Sequence, residues 1–194
     1  MTGTPSYDEA EIASCLAGRS LAVRAAFSCA CAERLMPSFG WFCALAGTSD
    51  FNVVRAALDA AWTPGGAGAR AATDDVLAAM PPNDEGELFL GSAVAQNAVA
   101  AVGYSLEVRD NGAVQAAVWA ARQLYVAADT VVQQGAPAYS YVENIDQEQP
   151  VILMVQGIYS TLDSAGSRPL ADLRADAQED GDAFLRFVNG EASR

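Results

Sequence analysis

One stretch decides the fold: Leu21–Trp62, which reads LAVRAAFSCACAERLMPSFGWFCALAGTSDFNVVRAALDAAW. Its apolar residues recur at helical spacing, and a proline and a glycine interrupt them near the middle. Proline lacks an amide hydrogen and disfavours a helical residue before it. We therefore expect one helix over Leu21–Met36, a break at Pro37, and a second, aromatic helix over Phe39–Ala46.

A third helix is predicted directly after this pair. Gly47 is expected to end the aromatic helix, and Thr48 or Ser49 can cap the helix Asp50–Trp62. Asp50 itself suits the first turn, because the positive end of the helix dipole lies there. The buried stripe of this helix is expected to comprise Phe51, Val54, Leu58 and Trp62, which recur at helical spacing.

The rest of the chain continues the helical pattern, and convincing two-residue alternation is not found in it. We expect an all-α fold, a bundle of about seven to nine helices in one domain over residues 1–194. A loose lead-in (1–5) and a flexible linker (63–70) are expected within it. Further helices are predicted over Tyr7–Ala17 with Ser6 as cap, from the cap Thr73 through Met80, and over Leu88–Val108, Ala113–Gln134, Pro150–Ser164 and Pro169–Glu179. A tail with Phe184, Leu185, Phe187 and Val188 is expected to dock back on the bundle.

The chain is strongly acidic. It has 24 acidic and 11 basic residues, a net charge of −13, and every base is arginine. This balance repels phosphate backbones, so we expect no nucleic-acid binding, and it favours a basic protein as partner. Histidine is absent, which excludes Ser-His-Asp and Cys-His catalysis and the usual di-iron sites of helical bundles.

The four cysteines, Cys15, Cys29, Cys31 and Cys43, do not form a recognisable metal motif. On a helix, the two cysteines of the C-x-C pair project about 200° apart. Without a recognisable secretory leader, we expect reduced, buried thiols in a cytoplasmic protein. We expect no metal or cofactor, and no membrane association, because apolar runs fall short of the roughly 20 residues of a membrane span.

Two charged pairs within Leu21–Trp62 form a candidate polar site. Glu33 and Arg34 lie on a helix with little other charge, so at least one of them is expected to be half-buried. Arg55 and Asp59 are four residues apart and hence neighbours on one helix face. Brought together, the pairs would form either a polar pocket for a small anion or a partner's charged residue, or a buried network that fixes helix packing. We favour the buried network.

The run CACAERLMPSFGWFC resembles a signature of the YjaG-like bacterial proteins, a family of unknown function (DUF416). The resemblance rests on Phe27, Glu33, Arg34, Pro37, Phe42, Cys43, Leu58, Asp59 and Trp62, with weaker matches over Ala95–Val102 and Leu173–Asp176. Asn97 stands where the family tends to carry aspartate, and it is the fifth candidate site residue. The resemblance implies a compact, all-helical cytoplasmic protein, and it implies no activity.

Two functions from different classes follow from these observations. The leading hypothesis is a non-enzymatic interaction module, an adaptor or an inhibitor of the immunity type, that binds a basic protein partner through its acidic surface. The alternative is a small-molecule-binding protein or an unrecognised enzyme with a polar site around Glu33, Arg34, Asp59 and Asn97. A homodimer formed through the face of Ala113–Gln134 is compatible with both hypotheses. We assign no catalytic residue.

Overall fold

The computed structural model describes residues 6–64, 69–82, 90–135, 142 and 145–191. These ranges contain eight α-helices, a 3₁₀ turn at Ile145–Gln147 and no strand, so the predicted all-α fold is confirmed. None of the described helices combines the length and the apolar content needed to cross a bilayer. The helices are α1 (Glu9–Ala17), α2 (Leu21–Ala46), α3 (Asp50–Trp62), α4 (Ala69–Ala78), α5 (Leu90–Asn111), α6 (Val114–Gly135), α7 (Gln149–Ser164) and α8 (Leu170–Val188).

The helix α2 runs for 26 residues straight through Pro37, so the predicted break and separate aromatic helix are wrong. A proline inside a helix costs about 3 kcal/mol, because it removes a backbone hydrogen bond and crowds the preceding turn. Here Met36, Ser38 and Phe39 around it are all buried. A continuous helix buries both halves of the stretch together, and this burial outweighs the local penalty. Gly47 ends α2 with a φ of 68°, as predicted.

Two predicted helix starts also need correction. The N-cap of α1 is Asp8 rather than Ser6, and its carboxylate accepts hydrogen bonds from the next turn's amides at 2.8 and 3.1 Å. The helix α4 begins at Ala69, so Thr73 lies inside it and the predicted linker 63–70 is helical at its end. The lead-in 1–5 and residues 65–68 of the linker lie outside the described residues. By contrast, α3 has the predicted bounds.

The last helix, α8, continues past its predicted end at Glu179 to Val188. It passes through Gly181, where an added Cβ would lie 2.7 Å from the carbonyl oxygen of Arg34. The glycine therefore permits a close approach between α8 and α2 and does not end the helix. Phe184 and Val188 of the predicted tail are buried, so the tail docks on the bundle as part of α8.

The helix α2 lies at the centre of the packing. It packs most extensively against α5 and α8, and it also contacts α3, α6 and α7. The predicted apolar positions of α6, such as Val118 and Leu124, are buried within the chain, where α6 packs on α5, α2 and α7. Because α3 and α8 both pack on α2, three helices contribute side chains around Glu33.

Three of the four cysteines are buried free thiols, as predicted, but Cys15 is exposed and the prediction is wrong for it. Burial raises the pKa of Cys29 and of Cys31 to about 12. Both thiols are therefore protonated at neutral pH and lack the thiolate that nucleophilic or metal-binding cysteines need. They act as small apolar core residues.

Candidate functional site

Glu33 of α2 is a buried carboxylate, 1% exposed, whose two oxygens are fully engaged. Arg55 donates to both of them, from Nη1 to Oε1 at 2.7 Å and from Nη2 to Oε2 at 3.0 Å. Trp62 Nε1 donates to Oε2 at 2.8 Å, and Gln178 Nε2 donates to Oε1 at 2.9 Å. Each oxygen thus accepts two hydrogen bonds, which uses both of its lone pairs.

Helical spacing explains why these donors converge on Glu33, with the carboxylate of Asp59 beside them. Arg55, Asp59 and Trp62 are four and three residues apart, so they share one face of α3. Arg174 and Gln178 are four residues apart on α8 and share the face that packs toward α2. Neither face needs any unusual backbone conformation to present these side chains to the same carboxylate.

Asp59 forms the outer edge of this network and is exposed. Its Oδ1 lies 2.8 Å from Arg55 Nη2 and also accepts a hydrogen bond from Arg174 Nη2. Arg174 Nε lies 3.3 Å from Glu33 Oε2, within ion-pair range but outside hydrogen-bond geometry. Both arginines therefore link the buried carboxylate of Glu33 to the exposed carboxylate of Asp59.

The pKa of Glu33 lies below its ordinary value although the carboxyl group is buried. Burial alone raises this pKa, because it disfavours the charged form. The hydrogen bonds from Arg55 and Gln178, the positive charge of Arg55 and the bond from Trp62 together outweigh burial. Burial likewise lowers the pKa of Arg55, but its bonds and charge interactions with Glu33 and Asp59 raise it overall. The carboxylate is thus held as an anion and is a weak base.

A pH dependence of stability follows from this shift. Since the pKa of Glu33 is lower in the folded than in the unfolded chain, its contribution is complete above the unfolded value of about 4.3. It is lost as the pH falls through the folded value. We expect the unfolding free energy of Glu33→Gln to decline less steeply than that of the unmodified protein between about pH 5 and pH 3. Urea unfolding at a series of pH values measures this, and parallel curves would contradict it.

Arg34 is adjacent to Glu33 in sequence but pairs with a different carboxylate. Its Nε and Nη2 each lie 2.9 Å from Asp180 Oδ2, and its Nη1 donates to the carbonyl of Ala30 at 3.0 Å. The side chain is 2% exposed. Gly157 of α7 makes room for it, because an added Cβ there would lie 2.5 Å from Arg34 Nε.

The five candidate residues thus occupy three different places. Glu33, Arg55 and Asp59 share one network. Arg34 belongs to a separate ion pair with Asp180 of α8. Asn97 lies on α5, where its amide donates to the carbonyl one turn earlier at 2.8 Å. Both residues of the first predicted pair are buried, which exceeds the predicted half-burial.

Sequence reasoning missed four partners of these residues: Trp62 as a donor, Arg174, Gln178 and Asp180. Trp62 belongs to the predicted apolar stripe of α3, which its burial supports, but its indole N–H also needs an acceptor. The three α8 residues lie more than a hundred positions from their partners. The spacing of Arg174 and Gln178 marks one helix face, but it does not indicate which helix that face meets.

A polar cleft of about 320 Å³ lies between α7 and α8, next to Arg34. Asp180 in this cleft pairs with Arg34, and Asp176 pairs with Arg168 at 2.5 Å. Glu179 lines the same cleft and is exposed. Within the part of the chain that the structure describes, acidic and thiol side chains do not gather in threes as a metal site would require.

Comparison with known proteins bears on the fold. No family model matches the sequence, and no curated protein matches it either. The crystal structure of a DUF416 family protein from Shewanella baltica OS155 is similar, with a TM-score of 0.74 and 17% sequence identity. The match covers 86% of this chain and 93% of that one. The chain therefore has the fold of a DUF416 family protein, the family that its sequence resembles.

Proposed function

We propose that this protein is a non-enzymatic interaction module, of adaptor or inhibitor type, that binds a basic protein partner through an acidic surface. The saturation of Glu33 is the observation that carries this proposal. Its oxygens already accept four hydrogen bonds from the protein's own side chains. A carboxylate in this state is poorly suited to accept a proton or to bind a ligand. Its role is then structural, and the charge available to other molecules lies on the surface.

An exposed side of α8 offers such a surface. Asp172, Glu179 and Asp182 are exposed and lie seven and three residues apart, so they share one side of the helix. We call these three residues the acidic α8 face. The nearby Arg34 and Arg168 are already paired with other carboxylates, and the exposed Arg186, four residues after Asp182, lies on the same side of the helix. The three carboxylates outnumber this arginine, so the acidic α8 face keeps a negative charge that can meet arginine or lysine side chains of a partner.

Calorimetric titration with a defined basic peptide tests the proposal. The probe is a synthetic peptide rich in arginine and lysine, and the control peptide carries glutamate at the same positions. We expect the basic peptide to bind and the acidic one not to bind. The affinity should fall at least about tenfold between roughly 0.02 M and 0.5 M salt, because exposed charges are screened. Binding that does not depend on salt would contradict the proposal.

A matched pair of double variants locates the surface. Glu179→Gln with Asp182→Asn removes two charges from the acidic α8 face. Asp74→Asn with Asp75→Asn removes two exposed charges from α4. We expect the α8 variant to lose about fivefold or more in affinity and the α4 variant to lose clearly less, because screening confines the effect of a charge to about 10 Å at 0.1 M salt. Equal losses would reject the α8 face.

The alternative of a small-molecule site around Glu33 has weaker support. It needs Arg34 and Asn97 to act with Glu33 and Asp59, whereas their described hydrogen bonds are made elsewhere. The apolar stripe of α6 is buried within the chain, so a homodimer through α6 would have to use the remaining surface of this helix, chiefly the partly exposed Trp119. Sedimentation velocity at several protein concentrations would detect such a dimer.

A further inference from the structure

A groove of about 390 Å³ lies between α4 and α5, on helices that contribute nothing to the Glu33 network. Its volume falls within the range of roughly 300–1,000 Å³ that is usual for small-molecule sites. Leu77, on the α4 wall, is 54% exposed although it is a large apolar side chain. The groove is lined by Thr73 and Leu77 of α4, by Met80 just after that helix, and by Ala100, Gly103, Tyr104, Leu106, Glu107 and Asp110 of α5.

Gly103 keeps the floor of this groove open. An added Cβ at this position would have no atom within 4 Å, whereas at Gly157 and Gly181 it would meet atoms at 2.5 and 2.7 Å. Those two glycines are explained by close packing. A glycine inside a helix costs about 1 kcal/mol relative to alanine, and at Gly103 close packing does not account for that cost. What its missing side chain provides is space in the groove.

The two ends of the groove differ in chemistry. Leu77 and Met80 give an apolar wall, and the ring of Tyr104 is held against Trp119 with a centroid distance of 5.4 Å. Glu107 and Asp110 are both exposed and lie three residues apart at the other end. Among the residues whose side chains the structure describes, the groove lining includes no arginine. A ligand that fits both ends must therefore be apolar over most of its length and positively charged at one end.

We propose that the α4–α5 groove binds a small amphipathic cation, with an apolar aliphatic or aromatic body and one protonated amine. The body lies over Gly103 between the α4 wall and the ring of Tyr104. The amine pairs with the carboxylates of Glu107 and Asp110. This site is independent of the partner-binding function proposed above, which uses α8.

Three probes of similar size test the ligand chemistry: phenylbutylamine, phenylbutanol and phenylbutyrate. Binding is followed by amide chemical shifts of the ¹⁵N-labelled protein. We expect the amine to bind about tenfold more tightly than the alcohol, because a charge-assisted hydrogen bond is stronger than a neutral one. We expect the carboxylate to bind most weakly, with the shifts centred on α4 and α5. Equal affinities, or shifts centred on other helices, would overturn the proposal.

Variants of the groove test its location. Gly103→Leu fills the floor and should abolish amine binding, whereas Gly18→Leu at the end of α1 also meets open space and should leave it unchanged. Glu107→Gln with Asp110→Asn should weaken the amine about tenfold and leave the alcohol unchanged. If Gly103→Leu does not fold, this charge variant decides. Unchanged amine binding in either groove variant would overturn the proposal, and so would a dimer that Gly103→Leu dissociates.

Discussion

Replacing Glu33 with alanine is expected to lower the free energy of unfolding by about 3–5 kcal/mol. The substitution removes an acceptor of four hydrogen bonds and leaves the buried indole N–H of Trp62 and the part-buried guanidinium of Arg55 without this partner. The amide of Gln178 can turn to water, because this side chain is exposed. A buried donor without a partner costs about 1–3 kcal/mol. Arg55 keeps its ion pair with Asp59, which relieves part of this cost. Urea unfolding at neutral pH measures the loss.

The control for this variant is the exposed carboxylate of the same network. Asp59→Ala should cost about 1 kcal/mol or less, because exposed ion pairs contribute little. The double variant should lose less than the sum of the two single losses. The same two arginines hold both carboxylates, and once Glu33 is absent they can turn toward water. Strict additivity would show that Glu33 and Asp59 do not share a network.

The contacts within α3 and between neighbouring helices could be predicted from sequence. Arg55 and Asp59 are four residues apart and form the expected ion pair. Glu33 lies on the preceding helix, α2, which a short connection joins to α3. Its meeting with Arg55 therefore follows from antiparallel packing of two successive helices. The contribution of α8 could not be predicted in this way. Gln178 meets Glu33 across 145 positions, and helical spacing carries no information about which distant face a residue will meet.

Two of the helix boundaries that sequence reasoning missed have a common physical cause. At Pro37 and at Gly181, local preference favours a break, whereas the packed bundle favours a continuous helix. Both positions lie at the contact of α2 with α8, where an added Cβ on Gly181 would lie 3.1 Å from Pro37 Cδ. Proline and glycine disfavour an isolated helix, but here Pro37 and Gly181 lie where α2 and α8 approach closely. Tertiary contact therefore decides the outcome, as it commonly does against propensity.

This contact predicts that Gly181→Ala is strongly destabilising. The new methyl group would lie 2.7 Å from the carbonyl oxygen of Arg34 and 3.1 Å from its carbonyl carbon, which are backbone atoms that cannot turn aside. Either α8 moves away from α2 or the local backbone distorts, and overpacking of this kind costs about 1–3 kcal/mol. A displaced α8 would also pull Gln178 away from Glu33, so the cost should lie at the upper end of this range.

Gly103→Ala is the matched control, because it makes the same chemical change in a helix interior where the new methyl group meets open space. It should raise the free energy of unfolding by about 0.5–1 kcal/mol, since alanine loses less backbone entropy than glycine. The two variants should therefore shift the urea midpoint in opposite directions. If Gly181→Ala does not lower the free energy of unfolding, or raises it as helix propensity alone would, α2 and α8 do not approach as closely as described. The position of Gln178 against Glu33 would then also have to be revised, because both depend on the same approach of α8 to α2.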